Sequence, residues 1–337
     1  MATIKDVAQR SGLSLATVSK YINGIPIKKQ NEEKIEDAIR ELGYVANEMA
    51  RGLRTGQSNT IGVVIPELSS AFATAILSYV DDILFENGYS LIVGDCRSDK
   101  EREARTIQAL LNRQVDGIIN MPSDLEGKHL LPAVERNIPV VLIDRMVPTL
   151  AGSVNAVLVD NLTASKEATQ LLIDAGHRDI AIVVGPQHVP PFWQRLQGYK
   201  QALKENNMPI RDSLIKIAVR SNTQMGYENT LALFANHRPT ALFASNHYMT
   251  LGAVMALRDL RLEIPQDLSL MGYDDLPATR IIKPSLALVA QPLKAIAQNI
   301  AHITLAAIEG KRKNKTPEAV VKLLPAEVRG GESVVRV

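Results

Sequence analysis

Residues 4–24 read IKDVAQRSGLSLATVSKYING, two short helical patterns split by one glycine. Ile4, Val7 and Ala8 fall three and four apart, so a helix running to Arg10 carries one apolar face. Thr3 followed three residues later by Asp6 has the spacing of a capping box, with Asp6 in place of the usual Glu. Gly12 permits the positive φ that breaks this helix, and Ser14 offers an oxygen to cap the next. The second helix is predicted from Leu15 to Asn23, with Val18 and Ile22 turned inward and Asn23-Gly24 and Pro26 ending it. A third helix over roughly residues 31–42 buries Ile35, Ala38, Ile39 and Leu42, and Gly43 stops it. Two short helices joined by a glycine turn and braced by a third describe a helix-turn-helix, whose second helix enters a DNA major groove. Spacing alone leaves a generic three-helix bundle open.

Charge points the same way. The 337 residues carry a formal net charge of +2, yet residues 1–60 hold nine Lys or Arg against seven acids. The remainder is balanced at 29 against 29, so the whole excess sits in the head. Within residues 1–31 five basic residues face Asp6 alone, the footprint of a phosphate-binding face. Most charge runs are only solvated faces, so this signal is weak by itself.

Composition bounds the rest. Apolar residues make up 46% and charged residues 22%, the balance of a soluble globular chain of two or three domains. Cys96 is the single cysteine, which excludes an internal disulfide and a cysteine-based zinc site. The six histidines show no metal spacing, and no metal or cofactor is expected. No stretch resembles a signal peptide or a membrane span, so a cytoplasmic protein is expected. The phosphate loop, nucleophile elbow, HExxH and GxGxxG patterns are all absent, which argues against an enzyme. Asp274-Asp275 are adjacent on a strand or turn, so their side chains diverge and do not flank one substrate easily.

From Thr60 onward apolar strands alternate with amphipathic helices. Strands are predicted at residues 61–65, 90–93, 117–120 and 140–143, and a second set at 179–184, 241–244 and 268–271. Helices are predicted near residues 196–205, 225–235 and 251–260 in the second set. Repeated βα units mean parallel sheets covered on both faces, with ligands at the carboxyl ends of the strands.

The stretch at 4–24 closely resembles the opening of the LacI/GalR family of bacterial transcription regulators. GYVANEMARGLRTGQSNTIGVVIPEL (43–68) continues the likeness. It extends through VDGII (115–119), LIDR (142–145), AGHRDIAIVVGP (175–186), RLQGYKQAL (195–203), RPTALFASN (238–246), IPQDLSLMGYDDLP (264–277) and QPLKAIA (291–297), covering essentially the whole chain. The resemblance implies an α/β protein with an all-α helix-turn-helix head and two doubly wound parallel-sheet lobes of periplasmic-binding-protein type I. The implied domains are a head at 1–46, a hinge helix and linker at 47–59, and an effector and dimerisation domain at 60–337. Within the last, the N-lobe takes about 60–160 and 291–320 and the C-lobe about 161–290 and 321–337. The chain then crosses between lobes near Asp160, near Ala290 and near Pro317–Leu323.

The family likeness also implies roles. Leu15 and Ala16 open the recognition helix and read bases, and Lys20 stands where the family usually has Arg. A guanidinium holds a guanine edge bidentately whereas an ammonium is a point charge, so discrimination there is weaker. Ser14, Thr17, Ser19 and Asn23 suit phosphate oxygens, and Thr3 joins the DNA-contacting set. Asn47, Ala50, Arg51, Leu53 and Arg54 belong to the implied hinge helix, with Leu53 matching a leucine pushed into a minor-groove base step. A helix so short, with Gly52 inside it, is not stable alone, so its folding is coupled to DNA. In the cleft, Arg195 and Asp274 match effector-contacting positions, and Phe72 matches an aromatic after the first strand. Asp144 and Asn246 are as well explained by strand-end turns or caps, and Asp160 and Asn161 by a hinge role; Trp193 could stack on a sugar face, but at a helix start a tryptophan more often serves packing or an interface.

Some positions depart from the family pattern. Ala73 replaces a second aromatic, the usual Asn-Asp reads Asn246-His247, and Val189 and Pro191 do not support a purine pocket. A sugar or sugar acid is the default effector. The implied partners are a palindromic double-stranded operator and a second copy of the chain, with no membrane. A chain ending at Val337 without apolar heptads does not predict a tetramer. A secreted solute-binding protein shares the sensor fold, but the head argues against it.

Overall fold

A computed structural model describes residues 2–22, 25–44, 57–313 and 318–337. It divides into two compact units, Met1–Ser58 and Asn59–Val337.

The first unit holds α1 (Ile4–Ser11), α2 (Leu15–Ile22) and α3 (Lys29–Leu42). The capping box forms as its spacing predicts: the Asp6 N–H donates to Thr3 Oγ1 and the Thr3 N–H to Asp6 Oδ2 at 2.7 Å. Gly12, at φ 67°, turns the chain into α2, and the Thr17 N–H donates to Ser14 Oγ at 3.1 Å. Val7, Ala8, Val18, Ile35 and Ala38 make the core, with Ile39 and Leu42 packed half-buried against it. A hydrogen bond from Tyr21 to Glu36 (2.8 Å) and an ion pair of Arg10 with Glu41 lock α3 onto the other two helices.

The second unit runs β1 (Thr60–Ile65), α4 (Ala71–Glu86), β2 (Ser90–Asp95), α5 (Lys100–Asn112), β3 (Gly117–Asn120), α6 (Leu131–Glu135), β4 (Val140–Ile143) and β5 (Asn155–Val159). It continues through α7 (Asn161–Asp174), β6 (Ile180–Val184), α8 (Pro190–Glu205), β7 (Ile215–Ile217), α9 (Thr223–Asn236), β8 (Ala241–Ala244) and α10 (His247–Asp259). It ends with β9 (Ser269–Tyr273), α11 (Pro277–Arg280), β10 (Ala287–Ala290), α12 (Leu293–Arg312), β11 (Val321–Leu324) and β12 (Glu327–Arg329).

Two six-stranded sheets result, ordered β11-β5-β4-β3-β1-β2 and β12-β10-β9-β8-β6-β7. All pairings are parallel except β10 with β12. Central strands are buried on both faces, which is why β4, β6, β8 and β10 read as unbroken apolar runs. The two sheets repeat one strand order and differ only in the direction of the edge strand, β11 or β12, each sheet forming one lobe.

The chain leaves the first lobe at Asp160 and returns after Ala290, as the sequence implies. The third crossing differs. Val321–Leu324 pairs with β5 in the N-lobe, so the chain passes over at Pro325-Ala326 and the C-lobe's last piece starts after residue 324, not at 321. Both β11 and β12 are short edge strands, largely exposed, and carry no periodic apolar signal.

Glycine sets how closely the C-lobe helices approach. A Cβ on Gly198 of α8 would stand 2.3 Å from the Leu162 carbonyl oxygen of α7. On Gly252 of α10 it would stand 2.4 Å from Thr223 O and Tyr227 N of α9. Backbone atoms cannot give way, so Gly198→Ala is expected to destabilise the second unit by about 1–3 kcal/mol in urea denaturation. A variant as stable as the parent would show that α7 and α8 have room to separate.

Candidate functional site

Two surfaces carry the residues singled out by the sequence. On the head, Leu15, Ala16 and Lys20 of α2 are exposed, while Val18 is fully buried. The helix therefore offers its N-terminal residues and one cation to a partner while its other face holds the core. The hydroxyls of Thr3, Ser14 and Thr17 are engaged within the head: Thr3 with Asp6 at 2.8 Å, and Ser14 with Thr17 at 2.8 Å. Asn23 and the hinge positions Asn47, Ala50, Arg51, Leu53 and Arg54 lie outside the described residues.

The second surface is a cleft of about 470 Å³ between the lobes. Its polar residues follow strand ends: Arg97 after β2, Ser123 after β3, Asp144 after β4, Asn246 after β8, Asp274 after β9 and Gln291 after β10. A parallel sheet turns all its strands at the same edge, so polar side chains in those turns converge.

Arg195 is the most constrained of them. It is 3% exposed and sits one turn into α8. Its Nε donates to Asn161 Oδ1 at 2.9 Å, its Nη1 to the Ser245 carbonyl at 2.7 Å, and its guanidinium lies 3.8 Å from the Tyr273 ring centroid. The Tyr273 hydroxyl also donates to Asn161 Oδ1 at 3.1 Å. Burial pushes the Tyr273 phenol up to about 12, so it stays a donor. Asn161, left between hinge and site by its sequence, thus orients Arg195 from the first crossover.

Asp274 accepts from the His247 N–H at 3.0 Å and from Gln291 Nε2 at 2.6 Å. It has φ 71°, and Asp144, its counterpart in the other lobe, has φ 67°. Each donates its own N–H to the neighbouring strand, Asp144 to Val157 O and Asp274 to Val289 O. Asp274 is held further because Asp275 is clamped by Arg280 and Arg329. These guanidiniums, Arg280 foremost, keep the Asp275 carboxyl below its ordinary range. Asn246 serves both readings, capping α10 through the Met249 N–H while lining the cleft and donating to Ser221 Oγ at 2.6 Å. Phe72 lines the cleft as implied.

Trp193 does not. It is 50% exposed and outside the cleft lining, because Phe192 and Arg195 take the inward face of α8 and turn Trp193 away. Trp193 thus lies on the exposed side of α8, facing away from the cleft lining.

Several site residues escaped the sequence. Gln291, directly after β10, was missed because that four-residue strand went unread. Arg220 and Ser221 follow β7, which is only three residues long. Glu103, on α5, reads as a surface acid but is fully buried. Its carboxylate accepts the N–H groups of Ser123 and Asp124 and the Asn120 amide, with His129 Nε2 at 3.4 Å. It therefore anchors the loop that carries Ser123 and Leu125 to the cleft.

Burial holds the His247 imidazole below its usual range, opposed in part by the Asp274 carboxylate, and burial does the same to His177. The unfolded chain then takes up protons first as pH falls. Stability from the neutral forms is full above the unfolded value of about 6.5 and is lost as pH drops from there through the lower folded values. Urea midpoints are expected to fall between pH 7.5 and 5.5, and the double variant His177→Gln, His247→Asn to flatten that slope. An unchanged slope in the variant would assign it to other groups.

The described residues include no helix long and apolar enough to cross a membrane. Among known families, the one described as "Periplasmic binding proteins and sugar binding domain of LacI family" matches residues 58–324, and "Bacterial regulatory proteins, lacI family" matches residues 3–47. The chain is 33% identical over 294 residues to Catabolite control protein A of Priestia megaterium, covering 86% of this chain and 88% of that one. It is 31% identical over 316 residues to the transcriptional repressor PurR of Klebsiella pneumoniae (strain 342), covering 93% and 92%. Among solved structures, the regulator CelR in complex with cellobiose is similar at TM-score 0.74 and 28% identity, over 99% of this chain and all of that one. A Lac repressor dimer bound to operator and the anti-inducer ONPF shares the fold at TM-score 0.86 and 24% identity, over 99% of both chains. With its head and its two-lobed unit both matched, the chain belongs to the LacI family of bacterial regulatory proteins and is a DNA-binding transcription regulator, not an enzyme.

Proposed function

We propose that this regulator is a cytoplasmic repressor that grips a palindromic operator as a homodimer and changes its grip when a sugar or sugar acid enters the cleft. The observation that carries the reading is the convergence of Arg195, Asn246, Asp274 and Gln291 in a cleft between two lobes joined by crossovers. Such a cleft couples ligand to lobe geometry, and a ligand shifts DNA affinity by its differential binding to two lobe arrangements. Among the relatives, a Lac repressor dimer holds operator and CelR holds cellobiose.

In this reading Leu15, Ala16 and Lys20 meet base edges, and Ser14, Thr17, Ser19, Asn23 and Thr3 lie along phosphates. The hinge roles of Asn47, Ala50, Arg51, Leu53 and Arg54 rest on the sequence alone. Phe72, Asp144, Arg195, Asn246 and Asp274 receive the effector. Exposed apolar side chains, Phe85 on α4, Met255 on α10 and Ile281 after α11, supply material for a two-fold interface.

Two variants separate the two activities. Leu53→Ala is expected to weaken operator binding by about tenfold or more and nonspecific DNA binding far less, because only a kinked site uses the wedge. Equal losses in a gel-shift titration would remove Leu53 from the minor groove. Arg195→Gln is expected to leave operator binding in place and to abolish the response to effector in the same assay. A retained response would take Arg195 out of the site.

A further inference from the structure

Charge in the cleft is unevenly paired. Arg97, Arg145, Arg195 and Arg220 line it, against Glu67, Asp144 and Asp274. Arg145 Nε lies 3.4 Å from Asp144, and Arg97 lies 3.8 Å from Asp95. Asp274 already accepts from His247 and Gln291, and Glu67 from the Ser69 hydroxyl at 3.2 Å. Arg195 and Arg220 differ: among the described residues neither has a carboxylate within 4.0 Å. Both belong to the C-lobe wall, Arg195 on α8 and Arg220 on the loop between β7 and α9. That loop is held in place, since Ser221 accepts from Asn246 and Asn222 caps α9.

Arg195 meets only neutral oxygens and aromatic faces, although it is almost wholly buried. A buried cation without a counter-charge is unfavourable, and an arriving anion relieves it. Arg220 is exposed at the cleft lip with its guanidinium fork uncommitted, a geometry that matches carboxylate and phosphate oxygens. Glu67 and Asp144 lie on the N-lobe side, where they suit sugar hydroxyls and repel an anion, while Asp274 on the C-lobe wall has one carboxylate oxygen met by the His247 N–H and the other by the Gln291 amide.

We propose that the effector is an anionic sugar, its carboxylate or phosphate seated by Arg220 on the C-lobe lip with Arg195 as the second positive charge. The proposal rests on the effector-cleft reading and narrows it. The anion enters at the C-lobe wall, and the hydroxyls face Asp144 and Glu67. Arg220 thereby becomes a specificity-determining residue that selects charged sugars over their neutral parents.

Titration calorimetry on the full-length chain at constant ionic strength tests this with two matched sets: glucose, gluconate and glucose 6-phosphate, and ribose, ribonate and ribose 5-phosphate. At least one anion is expected to bind about tenfold or more tighter than its neutral parent. Arg220→Ala is expected to collapse that preference and Arg220→Lys to keep part of it, with operator binding in the absence of sugar showing that both variants fold. A preference for the carboxylates or for the phosphates supports the proposal and tells which group the seat takes. A neutral sugar bound as tightly as its anions, or a preference that survives Arg220→Ala, overturns the proposal and leaves the effector reading intact. If no compound of either set binds or changes operator affinity, both fall.

Discussion

The cleft is organised by a guanidinium kept out of water without an acid to neutralise it. Arg195 is held by the Asn161 amide, the Ser245 carbonyl and the Tyr273 ring, which come from the first crossover, the end of β8 and the end of β9. Three separate segments must arrive together before the charge is tolerable, so the side chain reports on the whole C-lobe. A group partly satisfied by neutral oxygens and π faces retains a strong field, and a ligand in the cleft feels it. Because Asn161 is also the first residue of α7, movement of the crossover shifts the orientation of Arg195.

The lobes face each other with the same strand order, which explains why the cleft has matching parts on both walls. Asp144 and Asp274 occupy the same place after equivalent strands, both left-handed, both donating to the next strand over. A left-handed non-glycine residue costs roughly 1 kcal/mol, and aspartate tolerates it better than most. The arrangement points a carboxylate from each lobe at the space between. Contact between the lobes also occurs at the rim, where the Tyr248 hydroxyl donates to the Ser69 carbonyl at 2.7 Å. A hydrogen bond across the mouth is worth little alone and biases the relative position of two bodies joined only by crossovers.

Family membership and physical reading agree on the division of labour. The head buries a core of five residues and leaves the N-terminal turn of α2 free. The larger unit places its polar residues at strand ends, away from cores that are almost entirely aliphatic. A regulator needs those functions to be separable, and segregating them into units with independent cores makes them so.

Local signals in the sequence determined most of the architecture. The capping box at Thr3 and Asp6, the glycine stops at Gly12 and Gly43, and the apolar runs of β4 and β8 depend on neighbours a few residues away, and the sequence displays them directly. The same holds for Asp144, Asn246 and Asp274, which stand immediately after such runs. Tertiary structure alone decided the burial of Glu103, the outward turn of Trp193, the tie of Asn161 to Arg195, and the pairing of Val321–Leu324 with the N-lobe. Apart from the facing of Trp193, each of these depends on partners between 17 and 165 residues away along the chain. Side-chain facing on a helix and edge-strand pairing are set by what packs against them, and no local pattern of residues records that.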